Sequence, residues 1–189
     1  MPDGQAAQRI KHQRWLAHAP GLRRSSTLWH WLGDHGSLTA RLTAHCQAFR
    51  VLRLCQRSAV ALKDEARALG LPQRARVIER DVLLFADQRA VIFAHTVMAL
   101  DASRSDWPYF SALGNRSIGN RLFNDPAVTG GGFAFARLHA RHPLMVRAAL
   151  ALGVPAMDQP LHARRRIFQR RNGQLMITEV FLDCALWSP

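Results

Sequence analysis

The chain has 189 residues, 48% of them hydrophobic, and a formal net charge of +13. That length holds one sizeable core and is short for two, so a single domain over 1–189 is expected. No run approaches the length of an apolar membrane span, and the basic start lacks the apolar stretch of a secretory signal. The expectation is a soluble, cytoplasmic protein without an integral membrane segment.

Nearly all the positive charge is arginine; Lys11 and Lys63 are the only lysines. Such a balance favours anionic ligands. Nucleic acid is the other partner it serves, but the arginines are spread along the chain. Most aromatic side chains fall in apolar periodic runs, with Tyr109 the one tyrosine. No nucleic-acid partner is expected. Cys46, Cys55 and Cys184 are odd in number and have no CxxC spacing, which argues against a disulfide scaffold or zinc knuckle and for free thiols.

In chain order, a helix is expected over 8–18, ended by Pro20 and Gly21. Ser25, Ser26 and Thr27 are N-cap candidates for a helix over 28–34. Gly36 breaks that run, and Ser37 caps a second helix over 38–46. The pair is either a packed helical hairpin or a DNA-binding helix-turn-helix. The period then changes to two, giving strands near 48–57, 76–86, 89–99, 131–139, 161–171 and 174–183. Asp87-Gln88 and Asn172-Gly173 are hairpin turns. Helices are expected over 103–112, 117–123 and 143–152, the last ending at Gly153 and Pro155. The fold class is α+β, with one antiparallel sheet. The segment 139–160 receives no functional role.

Two charges break the strand alternation. Arg80 shares parity with Ile78, Val82 and Leu84, whereas Glu79 and Asp81 have the parity that belongs in water. Glu179 shares parity with Leu175, Ile177 and Phe181. Inward charges of opposite sign mean either a structural ion pair or an anion site with a carboxylate beside it. The cluster Arg164-Arg165-Arg166 with Arg170-Arg171 falls in strand and hairpin and reads as a solvated strand edge. His95, between Phe93 and Val97, reads as a hydrogen-bonded core histidine. The starts of the helices after Ser37 and Ser117, at Leu38 and Ile118, present unpaired backbone N–H groups. Both serines also serve as plain caps. No GxSxG, P-loop or HExxH motif is present, and His139 and His142 lack metal-ligand spacing.

Four stretches, in this order, carry a resemblance: WLGDHGSLTARL (31–42), ERDVLLFADQRAVIFAHTVM (79–98), LGNRSIGNRLF (113–123) and RNGQLMITEVFL (171–182). Together they resemble the chorismate pyruvate-lyase family of bacterial ubiquinone biosynthesis. The resemblance implies a cofactor-free monomer with a six-stranded antiparallel sheet and two helical flaps over a buried ligand site. The implied activity converts chorismate to 4-hydroxybenzoate and pyruvate. Arg80 and the amides of Leu38 and Ile118 are implied to hold the ring carboxylate, and Glu179 the product hydroxyl. His95 stands where other members carry an arginine, which makes it, when protonated, a candidate for the second carboxylate, with another arginine as the alternative. Ligand-sensing domains of some transcription regulators look similar in fold, so the alternative is an aromatic-acid sensor without catalysis.

Overall fold

The computed structural model describes residues 14–182. Cys184 and the first part of the expected helix over 8–18 lie outside them. Residues 14–18 are not helical: Leu16 instead pairs through both N–H and C=O with Phe135, against the sheet.

Six strands follow the period-two segments: β1 (Phe49–Val60), β2 (Arg76–Ala86), β3 (Arg89–Ala99), β4 (Val128–Leu138), β5 (Leu161–Arg170) and β6 (Gly173–Phe181). They form one antiparallel sheet in the order β1-β2-β3-β6-β5-β4. The β2–β3 hairpin turns on Asp87 and Gln88, both with positive φ. Asp87 Oδ1 also accepts from the amides of Gln47 and Ala48.

The second hairpin turns one residue earlier than the sequence suggests. Arg170 pairs with Gly173, so the turn is Arg171-Asn172, with Arg171 at φ 51°. Gly173 heads β6 and is needed for a different reason. A Cβ there would come within 2.6 Å of the Asp106 side chain.

The helices α1 (Thr27–Leu32), α2 (Leu38–His45), α3 (Lys63–Ala68), α4 (Leu100–Ser105), α5 (Gly119–Asn124) and α6 (Pro143–Leu152) cover the sheet, with a 3-10 turn at Pro108–Phe110. The helix expected over 103–112 is thus two short pieces, and α3 had no periodic signal. Ser26 and Ser37 cap α1 and α2, accepting from Trp29 and Ala40. α6 begins where His142 accepts from the Leu144 amide and ends at Gly153, whose φ of 70° suits glycine. α1, α2 and α5 lie over one face. α3 and α6 lie over the other, and that second cover buries Glu79 and Asp81, which the alternation alone had assigned to water.

Candidate active site

Strand register sets the site. Cross-strand pairing places Arg80, Thr96, Ile177 and Arg166 in one row across β2, β3, β6 and β5. The next row holds Val82, Ala94, Glu179 and Arg164. Both rows face one cavity, which Leu38 and Thr39 of α2 and Ser117, Ile118 and Gly119 at the start of α5 close from above. Val82, Leu84, Ala94, Ile177, Phe133 and Phe168 make its wall apolar. Four sequence-predicted residues, Arg80, Glu179, Leu38 and Ile118, therefore line one cavity.

The two helix starts are built to touch. Thr39 Oγ1 and Ser117 Oγ are 2.6 Å apart and share a hydrogen bond. A Cβ on Gly119 would come within 3.1 Å of Thr39 Oγ1 and 3.3 Å of Ser37 Oγ, so the close approach favours glycine. α5 begins at Gly119, with Ile118 as its cap residue, one position later than the sequence indicates. The amides of Leu38 and Ile118 find no acceptor among the described residues.

Arg80 is 1% exposed. Its Nη2 donates to the carbonyls of Gly114 and Arg116, tying β2 to the loop before α5. Its Nε has no partner, and no carboxylate is within ion-pair distance among the described residues. Burial, with Arg53 nearby, lowers its pKa to about 10, and it stays charged at neutral pH. A buried guanidinium without an anion is costly to hold. An anionic ligand on the cavity side removes that cost.

Glu179 does not pair with Arg80. Its carboxylate accepts from Arg164 Nε at 2.6 Å. Arg164 is itself 2% exposed, and its Nη1 donates to the carbonyls of Trp31, Leu32 and Asp34 at 2.7–3.1 Å. The solvated-edge reading of 164–166 is therefore wrong. β5 is an interior strand; Arg165 pairs with Asp64 on its far face, and Arg164 reaches under the α1–α2 turn. Arg166 does the same, donating to the carbonyls of His35, Gly130 and Gly131. A signal for Arg164 was present in the sequence. Once the hairpin turn is fixed at Arg171-Asn172, register sets Arg164 directly opposite Glu179.

His95 is placed elsewhere, and its role as a second-carboxylate contact is withdrawn. Its parity is opposite to that of Ala94 and Thr96, so it faces the α3 and α6 side. It is fully buried there. Nδ1 lies 2.5 Å from Asp81 Oδ1. Glu65 Oε1 stands 3.0 Å from Nε2, an ion-pair contact without the alignment of a hydrogen bond. Burial lowers the pKa of an imidazolium, but Asp81 and Glu65 outweigh it and hold His95 at about 9. Arg147 of α6 bridges Glu79 and Asp81, and Arg57 closes on Glu79. This network is a clamp on the back of β2 and β3, behind the strand segments that carry Arg80 and Thr96.

Among the described residues no group of three or more His, Cys, Asp or Glu is arranged to hold a metal ion. No helix there is long and apolar enough to cross a membrane.

Residues 11–189 match the family described as chorismate lyase. The chain belongs to that family. A protein of Cupriavidus pinatubonensis named "probable chorismate pyruvate-lyase" is 44% identical over 187 residues, covering 97% of this chain and 95% of its own. One of Ralstonia nicotianae with the same name is 42% identical, covering 97% and 96%. Among solved structures, the effector domain of PhnF from Mycobacterium smegmatis aligns with a TM-score of 0.51 at 16% identity, covering 80% of this chain and 91% of that one. The C-terminal domain of the histidine utilization repressor from Pseudomonas syringae aligns with a TM-score of 0.51 at 13% identity, covering 71% and 92%. These two likenesses concern the fold alone. This chain thus shares its antiparallel-sheet fold with those two domains.

Proposed function

We propose that this chorismate lyase family member converts chorismate to 4-hydroxybenzoate and pyruvate, as a cytoplasmic monomer at the first committed step of ubiquinone biosynthesis. The observation that carries the reading is Arg80, a buried cation without a carboxylate partner, in the same cavity as Glu179. In this reading the ring carboxylate lies on Arg80 and on the amides of Leu38 and Ile118. Glu179 meets the C4 hydroxyl, and the apolar wall takes the ring.

The reaction breaks the C4–H bond and the C3–O ether bond. The C4–H electron pair becomes the last double bond of the aromatic ring, and the ether oxygen leaves with the enolpyruvyl group. A proton added at the enolpyruvyl methylene carbon gives pyruvate. Aromatisation makes the reaction downhill without a cofactor. The work left to the protein is to hold the ether in an eliminating conformation and to stabilise negative charge on the departing oxygen. Glu179, bonded to Arg164, is a fixed acceptor for the hydroxyl and stands beside the bonds that change.

The runner-up, a sensor for a small aromatic acid, draws on the shared fold with effector domains. It predicts binding without turnover. Incubating the purified chain with chorismate and following both products separates the two.

A further inference from the structure

The substrate of the proposed reaction carries two carboxylates, and its aromatic product carries one. With His95 on the far face, the second needs another receiver. The cavity lining holds three guanidinium groups, on Arg80, Arg164 and Arg166, against one carboxylate, on Glu179. Two positive charges therefore remain, matching a dianion rather than a monoanion.

Arg164 is committed: Glu179 neutralises it and three carbonyls occupy its Nη1. Arg166 is not. It is half-buried, and no carboxylate lies within ion-pair distance of it among the described residues. Its seat is nevertheless well defined. Nε, Nη1 and Nη2 each donate to one carbonyl, on Gly131, His35 and Gly130. The rings of Phe133 and Phe168 lie 5.1 and 5.2 Å from the guanidinium carbon. Gly130 forms the floor: a Cβ there would come within 2.5–2.6 Å of the guanidinium. A guanidinium has five N–H donors, so each terminal nitrogen keeps one unused.

Position agrees with this. Arg80 and Arg166 share one cross-strand row, three strand spacings apart, so their backbones are separated by roughly 14 Å at ~4.8 Å per strand. Their long side chains bracket the cavity, and Glu179 stands on β6 next to β5. On the substrate, the enolpyruvyl ether at C3 neighbours the C4 hydroxyl and lies away from the ring carboxylate. We propose that Arg166 receives the enolpyruvyl carboxylate, the one carboxylate that the substrate has and the aromatic product lacks. This rests on the lyase reading.

The test compares chorismate with 4-hydroxybenzoate, which lacks the second carboxylate. Arg166→Gln should raise KM for chorismate by about 10- to 100-fold, the scale of a lost charge-assisted contact. The dissociation constant of 4-hydroxybenzoate should stay within about threefold. Gly130→Ala, which displaces the guanidinium without removing its charge, should shift the two ligands in the same unequal way. Arg166→Lys should recover part of the loss. Equal weakening of both ligands would mean that Arg166 only props the α1–α2 turn, and would overturn the inference. Unchanged kinetics in a folded Arg166→Gln protein would overturn it as well. Both results leave the lyase reading standing when wild-type protein turns chorismate over. Wild-type protein that neither binds nor converts chorismate would remove the reading and the inference together.

Discussion

Arg164 and Glu179 face each other across β5 and β6 with Nε and carboxylate 2.6 Å apart, beneath three carbonyls of the α1–α2 turn. The pair fixes Glu179 in the cavity and anchors the end of α1 and the turn after it. Arg164→Met should leave Glu179 without its partner and three carbonyls without their donor. The expected loss is about 3–5 kcal/mol, or roughly 6–20 °C in Tm for a chain of this size. Glu179→Gln should cost less stability, because its amide oxygen still accepts from Arg164. It should lower kcat more than it weakens 4-hydroxybenzoate binding. Thermal melting and steady-state kinetics of the two variants check both statements.

Arg80 contrasts with Arg164 because it carries no counter-charge. Arg80→Met should weaken chorismate and 4-hydroxybenzoate alike, by about thirtyfold to a few thousandfold for a lost contact of ~2–5 kcal/mol. Its loss of Tm without ligand should be smaller than that of Arg164→Met. An Arg80→Met protein that melts as low as Arg164→Met while binding product normally would make Arg80 structural.

Much of this site was legible in strand parity. Arg80 and Glu179 interrupt apolar faces, and period two turned both inward. The same rule failed for Glu79 and Asp81, because parity says which face a side chain takes and not what covers that face. Their cover is α3 and α6, and α3 is too short to announce itself by periodicity. Arg164 was hidden in a run of three arginines that resembles a solvated edge. Only strand order, a long-range property, makes β5 interior. A one-residue error in the hairpin turn would also have set Arg166 rather than Arg164 opposite Glu179. The Asn-Gly signal is ambiguous at that level, since Gly173 is required by the approach of Asp106 and not by the turn.

His95 gives a prediction about pH. Its folded pKa of about 9 stands above its ordinary 6.5, so its contribution to stability is whole below pH 6.5 and is lost as pH rises through 9. Asp81 and Glu65 are held below their ordinary values by His95, against burial, so their contribution is present near neutrality and lost in acid. Arg147 faces the same cluster from α6. Cys55, raised from its ordinary 9.0 by burial and by Asp81, adds to the decline above pH 9 in wild type and His95→Gln variant alike. Wild-type stability should therefore fall between pH 6.5 and 10, by on the order of 3 kcal/mol. His95→Gln should flatten that decline while leaving chorismate KM within about threefold, because the residue is on the far face. Melting curves at pH 6 and 10 decide it; parallel declines in both proteins would assign the effect to another group.

The Thr39–Ser117 hydrogen bond is a latch between the two helix starts over the cavity. Thr39→Val removes it while keeping shape. At about 0.5–1.5 kcal/mol for one hydrogen bond, release of 4-hydroxybenzoate should quicken by roughly two- to tenfold. Stopped-flow displacement of bound product measures this, and an unchanged off-rate would show that opening occurs elsewhere.

In the proposed reaction this cavity turns chorismate over with no added group. The most direct test of this is to strip the purified protein with a chelator, add chorismate, and quantify both products over time. The expected result is 4-hydroxybenzoate and pyruvate in equal amounts, at a rate unchanged by added divalent ions. Binding of chorismate or 4-hydroxybenzoate without any pyruvate formed would contradict it and leave a sensor.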